Sequence, residues 1–316
     1  MPTDLLDRRL VFVTGKGGVG KTTIAAGLGQ LASSQGRRTL LCEVDAKGSL
    51  AGAFEAGPTE FRERRIGPGL WAMSMDTEAS LREYLALQLR LPRLSRLGPL
   101  ARTFDFVANA APGVREILVV GKLCHEVRER HYDLVVVDAP ASGHIVGHLA
   151  APQAIQGLVK VGAVRDQTGW MLDILHDPAR TAVVIVATPE EMPVNETLEL
   201  ADRLTTETRV DVAAVVANRV LPELFGRGEE EAFRALRDPE AVGALADAVG
   251  GPVDHVLRAA DLAVRMRRTR AEHLAELRAG LGPGVDLLYV PELFQRTHGV
   301  RATRQVAAAL SAELGY

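Results

Sequence analysis

The stretch LVFVTGKGGVGKTT, from Leu10 to Thr23, limits the possible fold more tightly than any other part of the chain. Its apolar, β-branched start reads as a strand, and Ile24, Leu28 and Leu31 recur behind it at helical spacing. Between them, GKGGVGKT satisfies G-x-x-x-x-G-K-[ST]. The motif thus stands where its chemistry requires it, after a strand and at the opening of a helix. Glycines let successive backbone N–H groups wrap a phosphate, and the helix N-terminus adds a favourable dipole. Gly15, Gly17, Gly18, Val19 and Gly20 are therefore expected to line a phosphate site together with Lys21, Thr22 and Thr23. Lys21 is expected to neutralise β and γ phosphates, and Thr22 to offer its hydroxyl to Mg²⁺.

Further short apolar runs begin at Thr39 (TLLCEV), Leu70 (LWAMSM), Leu134 (LVVVDAP), Thr181 (TAVVIVATP), Val212 (VAAVVANRV) and Val285 (VDLLYVP). Runs without polar alternation suit strands covered on both faces, with the intervening helices as crossovers. The expected class is α/β, a doubly wound and mostly parallel sheet of the phosphate-loop NTPase type, with 1–316 as a single domain. The interval between Leu70 and Leu134 is too long for one crossover. Leu81, Tyr84, Leu85 and Leu89 mark one helical face there and Val114, Ile117, Leu118 and Val127 another, with LPRLSRLGP as a breaker. With the apolar stretch from His144, these predict a helical subdomain inserted at about 76–130 and 145–180. Glu229 to Arg278 reads as mostly charged helix, interrupted at Gly250, Gly251 and Pro252.

A net charge of -3, from 37 Lys and Arg against 40 Asp and Glu, gives no global attraction to nucleic acid or anionic lipid. RMRRTR from Arg265 is followed by Glu272 and Glu276 and reads as a solvated helix face, so no nucleic-acid partner is expected. MPTDLLDRR lacks a hydrophobic signal core, and no stretch approaches the roughly 20 apolar residues that span a bilayer. A cytoplasmic protein without stable membrane association is expected. Cys42 and Cys124 form no CxxC, which argues against zinc and against a disulfide framework. His144 and His148 share a helix face at i, i+4, but no third ligand follows at matching spacing.

Lys16, just after the first glycine, is more informative than the motif lysine. With it the loop resembles that of the deviant-Walker ATPases, the class of ArsA, the GET-pathway targeting ATPase, MinD, ParA and the nitrogenase iron protein. The resemblance implies that Lys16 reaches the partner's nucleotide across a dimer interface, and hence a homodimer or a heterodimer with a paralogue. Four further stretches resemble the ArsA and GET ATPase family specifically. DAPASGH from Asp138 is similar to its switch II motif, which implies that Asp138 supports Mg²⁺, partly through water, and that Gly143 approaches the γ phosphate; His144 matches the family's switch histidine. TPEEMPVNET from Thr188 is similar to a proline-glutamate stretch before an ET-containing helix. VVANRV from Val215 resembles the strand ending in an adenine-contacting asparagine, here Asn218, and VPELFQRTHGV from Val290, with Pro291, resembles the loop over the base. The implied cofactors are ATP and Mg²⁺, and the implied activity is ATP hydrolysis coupled to a client- or partner-binding subdomain. A MinD- or ParA-type positioning ATPase is the alternative, although the terminal TRQVAAALSAELGY reads as a docked helix rather than a basic membrane anchor.

The resemblance fails at switch I. DAKGSLAGAF opens with Asp45 as the family does, but Gly52 stands where a second aspartate orients the attacking water. Phosphoryl transfer depends on such positioning, and losing a placed general base costs about 10²- to 10⁴-fold. Asp45 or Glu43 could replace it, Glu55 could swing in, or the chain could bind ATP and hydrolyse it very slowly, as an ATP-sensing subunit beside an active paralogue. The zinc-binding CxxC of the GET branch is absent, and only 6 methionines are available for a hydrophobic client groove. Two cysteines cannot form a three-thiolate arsenite site. The face Leu158, Val159, Trp170, Met171, Leu172 and Leu175 is either a hydrophobic client surface or core, and burial statistics favour core.

Overall fold

A computed structural model describes residues 5–45, 48–89, 113–159, 161–294 and 299–316. The LPRLSRLGP breaker, Ala46, Lys47 and positions 295–298 lie outside the described residues, as do the side chains of Tyr84, Leu85 and Leu89. Among the described residues, eight strands form one sheet: β1 (Leu10–Gly15), β2 (Thr39–Glu43), β3 (Arg64–Gly67), β4 (Leu70–Ser74), β5 (Leu134–Ala141), β6 (Thr181–Ala187), β7 (Val212–Val220) and β8 (Asp286–Pro291). Their order is β3-β4-β2-β5-β1-β6-β7-β8. Every neighbouring pair is parallel except β3 with β4.

The apolar runs become strands because helices cover both faces. Alternate residues of β1 enter opposite cores, as the two-residue period of a strand requires. Leu10 and Phe12 pack with Val119 and Leu123 of α4 (Val114–Glu129), Ile145 and Leu149 of α5 (Ser142–Leu158) and Met171 and Leu175 of α6 (Ala163–Leu175). Val11 and Val13 pack with Ile24 and Leu28 of α1 (Lys21–Ser34) and with Val306 and Leu310 of the C-terminal helix (Val300–Leu314). Each fully buried side chain of this size contributes roughly 1.5–3 kcal/mol. Gly27 costs α1 helix propensity, but a Cβ there would come within 2.6 Å of Val306. The two helices approach as closely as they do because that position is bare.

The doubtful apolar face divides. Met171, Leu172 and Leu175 are buried as core, whereas Leu158, at the end of α5, is 83% exposed. The antiparallel β3 escaped the sequence reading because RRIG carries no apolar run.

Candidate nucleotide-binding site

The residues singled out by the motifs gather at the carboxyl ends of β1, β2, β5, β7 and β8, where open α/β sheets bind ligands. β1 ends at Gly15 with φ +143°, and a Cβ there would lie 2.2 Å from the Val186 carbonyl oxygen, so no other residue fits. Gly20 precedes α1 with φ +100°. No side chain caps the N-terminus of α1 and its first turn has no acidic residue. Its leading N–H groups and positive dipole end therefore suit an anion. Val19 is buried, Thr23 exposed, and the Lys21 ammonium donates to the Lys16 carbonyl at 3.1 Å, folded over its own loop.

The Thr22 hydroxyl donates to Asp138 Oδ2 at 2.6 Å. The other oxygen, Oδ1, is buried without a hydrogen-bond partner among the described residues. Burial pushes the Asp138 carboxyl up to about 6, against the Thr22 hydrogen bond and with help from the neighbouring Glu43 charge. A buried carboxylate oxygen without a partner, beside a hydroxyl at the mouth of a phosphate loop, fits a hard, oxygen-seeking cation such as Mg²⁺. Thr14 ties the same strand end to the phosphate-loop strand by donating to the Pro140 carbonyl at 2.9 Å.

Across β5 lies switch I. Glu43, in register with Asp138, is buried, and its carboxylate accepts from the backbone N–H groups of Gly48 at 2.9 Å and Ser49 at 3.0 Å. These bonds seat the start of α2 (Ser49–Gly52) on β2, and Asp45 is exposed. Gly52 is exposed, and a Cβ on it would meet nothing within 4 Å. Glu55 has φ +53°, and its carboxylate occupies the place of a side chain at Gly299, which precedes the C-terminal helix. Thr303 of that helix donates to the Ala53 carbonyl at 2.8 Å. Glu43 is thus committed to holding the loop and Glu55 is turned towards the C-terminal helix. Asp45 and Glu55 are both exposed, and Glu43 is buried.

Lys16 does not stand alone in this chain. Its ammonium donates to Glu196 Oε1 at 2.5 Å, from α7 (Glu191–Arg203), the helix of the TPEEMPVNET stretch. That partner is 180 residues away, and only its opposite charge could have suggested it from sequence. Asn218 is buried beside the phosphate loop, and Pro291 is exposed at the end of β8, paired in register with Val220. Gly143 is open in the first turn of α5. His144 is exposed, whereas His148 is buried with Nδ1 3.1 Å from the His144 carbonyl, inside its own helix. Burial raises both cysteine thiols, so neither offers a ready thiolate.

No helix of the described residues is long and apolar enough to cross a membrane. The profile of the family described as anion-transporting ATPase matches residues 8–172 and 158–238. The chain is 34% identical over 232 residues to ATPase BagA of Mycobacterium tuberculosis (strain ATCC 25618 / H37Rv), covering 70% of this chain and 68% of that protein. It is 30% identical over 167 residues to ATPase get3 of Schizosaccharomyces japonicus, covering 52% of this chain and 50% of that one. With its mostly parallel α/β sheet and the phosphate loop at the sheet's carboxyl edge, the chain belongs to the anion-transporting ATPase family, the nucleotide-binding ArsA and GET type.

Proposed function

We propose that this chain is a cytoplasmic, dimeric ATP switch that hydrolyses ATP slowly and transmits nucleotide state to a helical subdomain binding a hydrophobic client or partner. The observation that carries the reading is the Thr22–Asp138 contact, with its buried unpartnered oxygen at the mouth of the phosphate loop. In this reading Lys21 and the loop N–H groups hold the β and γ phosphates, and Thr22 and Asp138 hold Mg²⁺, Asp138 partly through water. The ion, when bound, neutralises charge developing between the phosphates. Asp138 must be ionised for that task, and both Mg²⁺ and Lys21 favour its charged form. Lys16 leaves Glu196 to reach a partner's nucleotide, a cheap exchange because a half-exposed ion pair contributes only about 0–1 kcal/mol. Gly143 permits close backbone approach on the switch II side, and the segment around Pro291 covers the base.

A second reading is favoured by Gly52, with Glu43 bonded to the Gly48 and Ser49 N–H groups and Glu55 turned towards Gly299. The chain then senses ATP in a complex with a paralogue that supplies hydrolysis, and an ordinary steady-state rate from the isolated protein would remove that reading. The site itself is tested by titrating Mg·ATP into wild type and Lys21→Ala. Saturable binding to wild type that weakens at least about tenfold in the variant supports the site. Equal affinities would place the nucleotide elsewhere.

A further inference from the structure

Asn218 is matched to adenine recognition, yet its amide is already engaged. Nδ2 donates to the Val19 carbonyl at 2.8 Å, 199 residues away in sequence. A Cβ on the adjacent Gly20 would lie 2.3 Å from the same nitrogen, so Asn218 is pressed against the last peptide of the phosphate loop. Its Oδ1 accepts from the Arg219 N–H at 3.0 Å, and Arg219 takes left-handed φ, +59°. Such a conformation is costly for a residue with a Cβ and persists where its surroundings impose it. One residue further, the Val220 carbonyl accepts from the Glu292 N–H at 2.9 Å, at the root of the segment after Pro291. Three consecutive residues therefore hold the phosphate loop at one end and the base-side segment at the other.

The Val19 carbonyl and the Gly20 N–H belong to one planar peptide, and in the trans form they point in opposite directions. Fixing the carbonyl towards Asn218 fixes the N–H away from it. Gly20 has the conformational freedom to let that peptide flip, and no side chain of its own opposes the flip. We propose that Asn218 is a positioning residue for the phosphate loop, locking the Val19–Gly20 peptide so that the N–H groups at the start of α1 are preset for phosphate. It deepens the ATP-site reading and rests on it. The consequence is that base-side and phosphate-side recognition are coupled through Asn218 and the two residues that follow it.

The test compares Mg·ATP with Mg·tripolyphosphate, which has no base, on wild type and Asn218→Ala, with amide hydrogen exchange followed at Gly20, Lys21 and Thr22. The expected result is a loss of about tenfold for both ligands, from a broken buried hydrogen bond, with faster exchange at those three amides and unchanged exchange along β7 from Val212 to Ala217. A loss confined to ATP, with loop exchange unaltered, makes Asn218 a base reader alone and overturns the proposal, as do unchanged affinities for both ligands. If Asn218→Ala does not fold, Asn218→Ser keeps a hydroxyl and is read the same way. Wild type that binds neither ligand would instead remove the ATP site itself, a failure separate from that of the brace.

Discussion

Asp138 shows how a single residue pays for its readiness. Its carboxyl is raised to about 6 by burial, so between about pH 4 and 6 the ligand-free protein holds a proton there that the unfolded chain, near 3.8, has released. Because the folded pKa is the higher, this group's contribution to stability is full below about pH 4 and is lost as pH rises through 6. Asp138→Asn removes the ionisation while leaving an oxygen to accept from Thr22. Without Mg²⁺ and nucleotide it is expected to be more stable than wild type at pH 7.5 by about 3 kcal/mol, the gap closing towards pH 4, as read from denaturant melts. The same variant should lose Mg²⁺-dependent tightening of nucleotide binding. A flat stability difference across that range would show that Asp138 ionises normally in the apo protein.

At the scale of elements, the seven apolar runs found their strands because burial on both faces leaves a local, continuous signature. β3 left none, being a four-residue edge strand, RRIG, with a single apolar side chain of any size and paired to β4 alone. The phosphate loop was legible for the same reason, since its chemistry is confined to neighbouring residues. The contacts that organise the rest of the site were not. Glu43 capping Gly48 and Ser49, Glu196 holding Lys16 and Asn218 bracing Val19 depend on the folded path, two of them spanning 180 and 199 residues. The buried Lys122 of α4 was equally hidden. It donates to Glu83 of α3 (Thr77–Leu89) at 2.9 Å and pairs with the buried Glu126 at 2.8 Å. Burial alone would lower the Lys122 pKa, but these two carboxylates outweigh it and leave it raised. Lys122→Ala leaves Glu126 buried without its main cation and is expected to cost about 3–5 kcal/mol. Lys122→Met with Glu126→Gln should recover much of that in the same melts. If Lys122→Ala costs under 1 kcal/mol, the cluster is a solvated surface group.

For the whole molecule, nucleotide binding and assembly are proposed to meet at Lys16. Lys16→Ala breaks a half-exposed pair, so its stability should stay within about 0.5–1 kcal/mol of wild type. Sedimentation velocity should show that ATP-dependent dimerisation is lost in this variant and retained in wild type. A variant that still dimerises with ATP would leave Lys16 as an intramolecular partner of Glu196. The central claim, an ATP switch slowed by a missing carboxylate, turns on Gly52, whose position is exposed and has room for a side chain. The most direct measurement is single-turnover Mg·ATP hydrolysis by wild type, Gly52→Asp and Lys21→Ala, each loaded to saturation. The expected result is bound but slowly cleaved ATP in wild type, cleavage at least about tenfold faster in Gly52→Asp, and none in Lys21→Ala. Wild type cleaving as fast as Gly52→Asp would contradict the claim and show that another group places the water.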